Sequence, residues 1–115
     1  MTATVRPMRL AHGPRFQVLG FRIGNIGYCT DTNAIPDESF AILEGVEYFI
    51  VDALRIQPHP THFHLQAALE AIDRVRPRKA YLTHMSHDLE YHHMQAILPD
   101  GVELAYDGLN LPLAL

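Results

Sequence analysis

The run "EYFIVDAL", residues 47–54, constrains this chain most. It is apolar at nearly every position and rich in β-formers, without the alternation of a strand that has one wet face. Such a strand is buried on both faces. It therefore belongs to a layered structure in which helices or a second sheet cover it.

The neighbouring sequence supplies those layers. "IPDESFAILEG" (35–45) reads as a short helix. Pro36 suits its first position, Asp37 and Glu38 suit the positive end of its dipole, and Gly45 suits its stop. After the proline-broken loop "RIQPHPTHF" (55–63), Thr61 is placed to cap a second helix. Leu65, Ala68, Leu69, Ile72 and Val75 keep helical spacing there, and Pro77 ends it. "KAYLT" (79–83) is another strand, and Ser86 can cap a third helix running to Leu98, with Pro99, Asp100 and Gly101 as its stop. Towards the start, the first ten residues end in a strand. "FQVLGFRI" and "IGYCT" then flank Gly24-Asn25, which marks a tight hairpin. "VELAY" and "LNLPL" flank Asp107-Gly108, a second hairpin signal, with Pro112 making the last strand short or an edge. The order is hairpin, helix, strand, helix, strand, helix, hairpin, an α/β layout. In such folds the site lies beyond the carboxyl ends of the strands. Those tips are Thr30-Asp31, Asp52-Ala53 and Thr83-His84.

The bulk composition narrows the function classes. The 115 residues suit a single domain, 1–115, that buries only about two thirds of its unfolded surface. A net charge of −4 with scattered Lys and Arg argues against a nucleic-acid or membrane-surface partner. Apolar runs are too short to span a bilayer, and no signal peptide is evident. The single Cys29 excludes an internal disulfide framework. A cytoplasmic protein is expected. Cys29 lies inside a strand and reads as a packed core thiol.

The unusual feature is histidine: four of the chain's eight fall within residues 79–93. His84 ends a strand, whose fixed backbone can aim an imidazole as a catalytic or metal ligand requires. The competing reading is a capped turn, with Ser86 as cap, Asp88 in the first helical turn, and His84 and His87 facing water. His92 and His93 are adjacent on a helix, point in different directions, and read as surface. Asp31, in "YCTDTNAIP", is either a turn residue or a strand-tip carboxylate able to bridge two cations. His12, in "LAHGP", is unremarkable alone. In "HPTHFH", His62 and His64 are expected in the first helical turn. There the helix dipole attracts anions and one of them can face a phosphate; a polar helix start is the competing reading. The chain has no Walker motif, CxxC pair or G-x-S-x-G elbow.

Together, "HG…LGFRIG…YCTDTNAIP…VDALR…HPTHF…YLTHMSH…AYDGL" resembles the C-terminal half of metallo-β-lactamase-fold hydrolases. The phosphoribosyl cyclic phosphate phosphodiesterase branch is closest and ribonuclease Z more distant. The resemblance covers residues 8–113, with "TDTxxIP" and "LTHxSH" carrying most of its specificity. It implies half of an αββα sandwich, a mixed sheet with helices on one face. It also implies that His12, Asp31 and His84 are metal ligands, with Asp31 bridging two ions. His62 would face the substrate phosphate as the catalytic histidine, and His87 would support the ligands or face substrate.

The family's "HxHxDH" signature, which supplies most ligands of its dinuclear site, does not occur in this sequence, and family members are roughly twice this length. The N-terminal half of the fold is therefore expected to be absent. The implied activity is metal-assisted hydrolysis of a small phosphodiester using Zn²⁺ or Mn²⁺, with two ions in the complete site and one at most here. The alternative is an inactive fragment, or a metal-binding or assembly module that keeps the half-fold. A small regulatory α/β domain that binds metal is the reading from another class. Half a sandwich would expose the inner face of its sheet, so a homo-oligomer or pairing with the missing half is expected.

Overall fold

The computed structural model describes residues 3–85 and 91–115, with the backbone alone described at residues 91 and 92. Its elements are β1 (Val5–His12), β2 (Phe16–Ile23), β3 (Ile26–Cys29), α1 (Asp37–Leu43), β4 (Tyr48–Asp52), α2 (Leu65–Val75), β5 (Lys79–Thr83), α3 (Tyr91–Ile97) and β6 (Val102–Leu104). The six strands lie side by side in chain order. The first three are antiparallel and the last four parallel. This is the expected mixed α/β sheet.

Strand order explains the layering. Each parallel step from β3 onward is bridged by one helix, and right-handed crossovers in a single direction place every helix on the same face. The core on that face joins Met8, Leu10, Cys29, Phe49, Val51, Ala80, Leu82 and Leu104 of the sheet to Leu43, Ala68 and Met94 of the three helices. Gly27 lets α1 settle closely, because a Cβ there would come within 2.5 Å of Leu43 Cδ2. Period-2 alternation sends Leu19, Phe21, Tyr28, Ile50 and Tyr81 to the opposite face. Leu19 and Tyr28 are exposed there. The chain after β6 returns to the β2–β3 turn, where the Asn25 side chain donates to the Pro112 carbonyl and accepts the Ala114 N–H.

The first hairpin forms as expected, with Ile23 opposite Ile26 across the Gly24-Asn25 turn. The second does not. No strand follows Asp107-Gly108 among the described residues; instead Leu109 N–H closes a single turn onto the Tyr106 carbonyl. Gly108 has φ +90° but Asp107 is not left-handed, so the turn lacks the paired positive φ values of a type I′ hairpin. Pro36 is the N-cap of α1 and not its first residue, and α2 starts at Leu65, later than expected. Thr61 does not cap α2; His64 holds that position with no side-chain capping bond. Both His62 and His64 therefore precede the helix, and the dipole argument for His62 does not apply. The expected cap at Ser86 lies outside the described residues. No helix among the described residues is long and apolar enough to cross a membrane.

Candidate metal centre

Three of the chain's strand tips and one loop converge beyond the carboxyl edge of the sheet. β3 delivers Asp31, β5 delivers His84, the end of β1 carries His12, and the loop between β4 and α2 carries His59 and His62. Asp31 and His84 both adopt left-handed backbone, with φ of +59° and +58°. Two non-glycine residues held this way at strand tips are a form of strain that clusters at functional sites.

The side chains meet at one carboxylate oxygen. Asp31 Oδ1 lies 3.2 Å from His62 Nε2 and 3.3 Å from His84 Nε2. The two imidazoles stack with centroids 4.7 Å apart. Thr61 Oγ1 sits 3.0 Å from His62 Nδ1. With Nε2–H donating to Asp31, Nδ1 accepts the Thr61 hydroxyl. When Nε2 gives up its proton to a metal, Nδ1–H can donate to the same oxygen, so one hydroxyl serves both states. Thr61 thus orients a site imidazole where a helix cap was expected.

Asp31, His62 and His84 each offer a donor atom within 4.8 Å of the others. Donors about 2.0–2.1 Å from a tetrahedral zinc ion lie roughly 3.3–3.4 Å apart. The Asp31–histidine distances match that spacing, so the donor set fits a divalent cation. His12 stands beside the group, its ring edge-on to His62 at 5.0 Å, but lies outside the three. Its Nδ1 is buried without a hydrogen-bond partner among the described residues. The structure thus gathers the expected His12, Asp31, His62 and His84 at one place, but it puts His62 rather than His12 in the tight trio. His87 lies outside the described residues. His93 is exposed on α3, as expected.

Two groups near the site were not assigned roles from sequence. His59 packs against His62 at 5.2 Å and lies below the ordinary imidazole range, through desolvation and then the Arg55 charge. Asp52, at the end of β4, is fully buried. Burial pushes its carboxyl up to about 7, helped by the Asp31 charge and opposed by the backbone N–H groups of Thr32, Asp52 and Asp31. The signal for Asp52 was present in the sequence: an acid closing an otherwise apolar buried strand needs a polar partner, or a reason to go without one.

A strand-tip carboxylate shared by two imidazoles, on the carboxyl edge of a mixed sheet with helices on one face, is a candidate metal site. The chain belongs to the metallo-β-lactamase family: residues 1–85 match the beta-lactamase superfamily domain. A diphosphatase of the PhnP family has a crystal structure that superposes with a TM-score of 0.95 at 38% identity, covering 98% of this chain and 44% of that one. Human tRNase Z, short form, superposes at 0.73 with 19% identity over 98% of this chain and 44% of its own, and shows the fold alone. Bacillus subtilis YhfI does likewise at 0.72 and 15% identity, over 93% of this chain and 48% of its own. A Porphyromonas gingivalis protein named octanoyltransferase is 33% identical over 110 residues, 93% of this chain and 22% of that protein. The chain thus spans less than half the length of these relatives. The fold implies a divalent metal, and the Asp31, His62 and His84 donors are present to receive one.

Proposed function

We propose that this chain carries part of the active site of a metal-dependent hydrolase that cleaves a P–O bond in a small phosphodiester. The observation that carries the reading is the sharing of Asp31 Oδ1 by His62 and His84 at the sheet's carboxyl edge. Asp31 and His84 would hold a divalent ion, Zn²⁺ or Mn²⁺ by the chemistry of their donors, with His12 beside His62 as a further imidazole. When bound, the ion lowers the pKa of a coordinated water and stabilises charge on a phosphoryl oxygen.

His62 has the site's remaining task. In this chain it completes the trio. With the further ligands of a complete fold, its Nε2–H donates to a phosphate oxygen or the leaving group, while Thr61 fixes its ring. A diphosphate ester is the second reading, favoured by the diphosphatase neighbour. The described chain offers no accessible thiol nucleophile. Cys29, the sole cysteine, is fully buried, and burial followed by the Asp52 charge pushes its thiol to about 12.

The sheet face bearing Leu19 and Tyr28 is covered, in our reading, by further β-structure from the rest of the family's fold or from a second copy. Light scattering is expected to return a mass above that of one chain, or one chain exposing apolar surface to dye. A monomer that binds no dye contradicts this. For the chemistry, the chain joined to the remaining portion of a family fold is expected to hydrolyse bis(p-nitrophenyl) phosphate only with added metal, with a drop of about 100-fold or more in His62→Ala. Turnover unaffected by chelator, or by His62→Ala, would sink the proposal.

A further inference from the structure

Thr32 sits where the segments carrying the site residues meet, and its side chain is fully buried. Its N–H donates to Asp52 Oδ2 at 3.0 Å. Its single hydroxyl proton lies between the carbonyls of Ala11 and Ala34, and its oxygen receives the Ala34 N–H. Its own carbonyl accepts the Phe63 N–H at 2.7 Å. Thr32 itself follows Asp31, and two of its partners adjoin site residues in the chain: His12 follows Ala11, and His62 precedes Phe63.

Asp52 extends the same knot to the fourth segment. It pairs in register with Thr83, the residue before His84, and the next residue, Ala53, donates its N–H to the Thr83 carbonyl at 3.0 Å. All four site segments are therefore tied through two buried polar residues. Valine fills nearly the volume of threonine without a hydroxyl to satisfy, so packing alone does not call for Thr32. The left-handed Asp31 backbone also needs surroundings that over-determine it.

We infer that Thr32 and Asp52 are positioning residues for the metal centre, holding Asp31, His12, His62 and His84 in register through one hydrogen-bonded junction. Neither touches the ion. Thr32 ties the β1 and β4–α2 segments to the Asp31 tip, and Asp52 supplies the acceptor that fixes the Thr32 backbone. The inference rests on the metal-site reading of Asp31, His62 and His84.

The test is Zn²⁺ affinity of the full chain, by competition with a chromogenic chelator, together with the visible spectrum of bound Co²⁺. Thr32→Val is expected to lower Zn²⁺ affinity about 10–100-fold, the usual cost of losing support behind a ligand, and to change the Co²⁺ bands. Thr32→Ser, which restores the hydroxyl, is expected to recover most of both. Asp52→Asn keeps an oxygen acceptor and should bind better than Asp52→Leu; where the leucine variant fails to fold, the valine and serine pair decides. A merely structural role would lower the metal-free melting temperature and leave the Co²⁺ spectrum unmoved. Wild-type affinity and spectrum in Thr32→Val, or equal impairment in Thr32→Val and Thr32→Ser, overturn the junction alone. Absence of Zn²⁺ binding by the wild-type chain overturns the metal centre and the junction with it.

Discussion

Replacing His84 with alanine is expected to lower the affinity of the chain for Zn²⁺ by more than about 100-fold, beyond what loss of a supporting group costs. The reason is geometric. His84 reaches Asp31 Oδ1 at 3.3 Å from a left-handed strand tip. With His84 gone, one carboxylate and one imidazole remain in the trio, and zinc, which commonly takes three protein ligands with an open position, is held only weakly. His62→Ala should cost less, because His12, its ring 5.0 Å from that of His62, stands near enough to substitute. Thermal unfolding gives an independent readout. At a free Zn²⁺ concentration about 100 times Kd, binding stabilises the wild type by about 2.7 kcal/mol. That corresponds to a rise of roughly 10 °C for a chain this size. His84→Ala should show almost none of it. Equal zinc-induced shifts in the two proteins would contradict the assignment.

The second large effect is a pH dependence centred on Asp52. Its carboxyl has an ordinary value of 3.8 and is pushed up to about 7 in the folded chain, first by burial. Between those values the native state holds a proton that the unfolded state has released. Raising the pH across that window therefore favours unfolding. The contribution is fully present below about pH 4 and is lost as the pH rises through about 7. A span of about three pKa units corresponds to a loss on the order of 4 kcal/mol. Asp52→Asn keeps an acceptor for the Thr32 N–H and cannot ionise. Chelator-treated wild type is thus expected to lose stability relative to Asp52→Asn between pH 4 and 8 in denaturant titrations. A difference that stays flat, or grows in favour of the wild type as pH rises, would contradict the protonated buried carboxyl.

How far the sequence foretold this arrangement depends on the range of the interaction concerned. The buried strand at "EYFIVDAL", the Gly24-Asn25 hairpin and the tips at Asp31 and His84 were legible, because each follows from local periodicity or turn chemistry. The resemblance carried by "TDTNAIP" and "LTHMSH" pointed to the family that the comparisons show. The Asp107-Gly108 hairpin failed because the dipeptide permits a primed turn without imposing one, and no strand after Gly108 is available to pair. The cap at Thr61 failed because its hydroxyl has a better use against His62 Nδ1. That His62 stands nearest to Asp31 and His84 was beyond sequence spacing. His62 meets Asp31 across 31 positions, in a loop where Phe63 N–H donates to the Thr32 carbonyl and Leu54 N–H to the Phe63 carbonyl. Asp52 and Thr32 were visible as letters, but their junction exists only once four segments have folded together.

The most direct test of the account is X-ray absorption at the zinc edge of the zinc-loaded chain. The expected first shell contains nitrogen and oxygen only, at about 2.0–2.1 Å, with the multiple-scattering signature of two imidazoles that falls to one in His84→Ala. A sulfur shell, or an all-oxygen shell without imidazole scattering that His84→Ala leaves unchanged, would contradict a metal centre built on Asp31, His62 and His84.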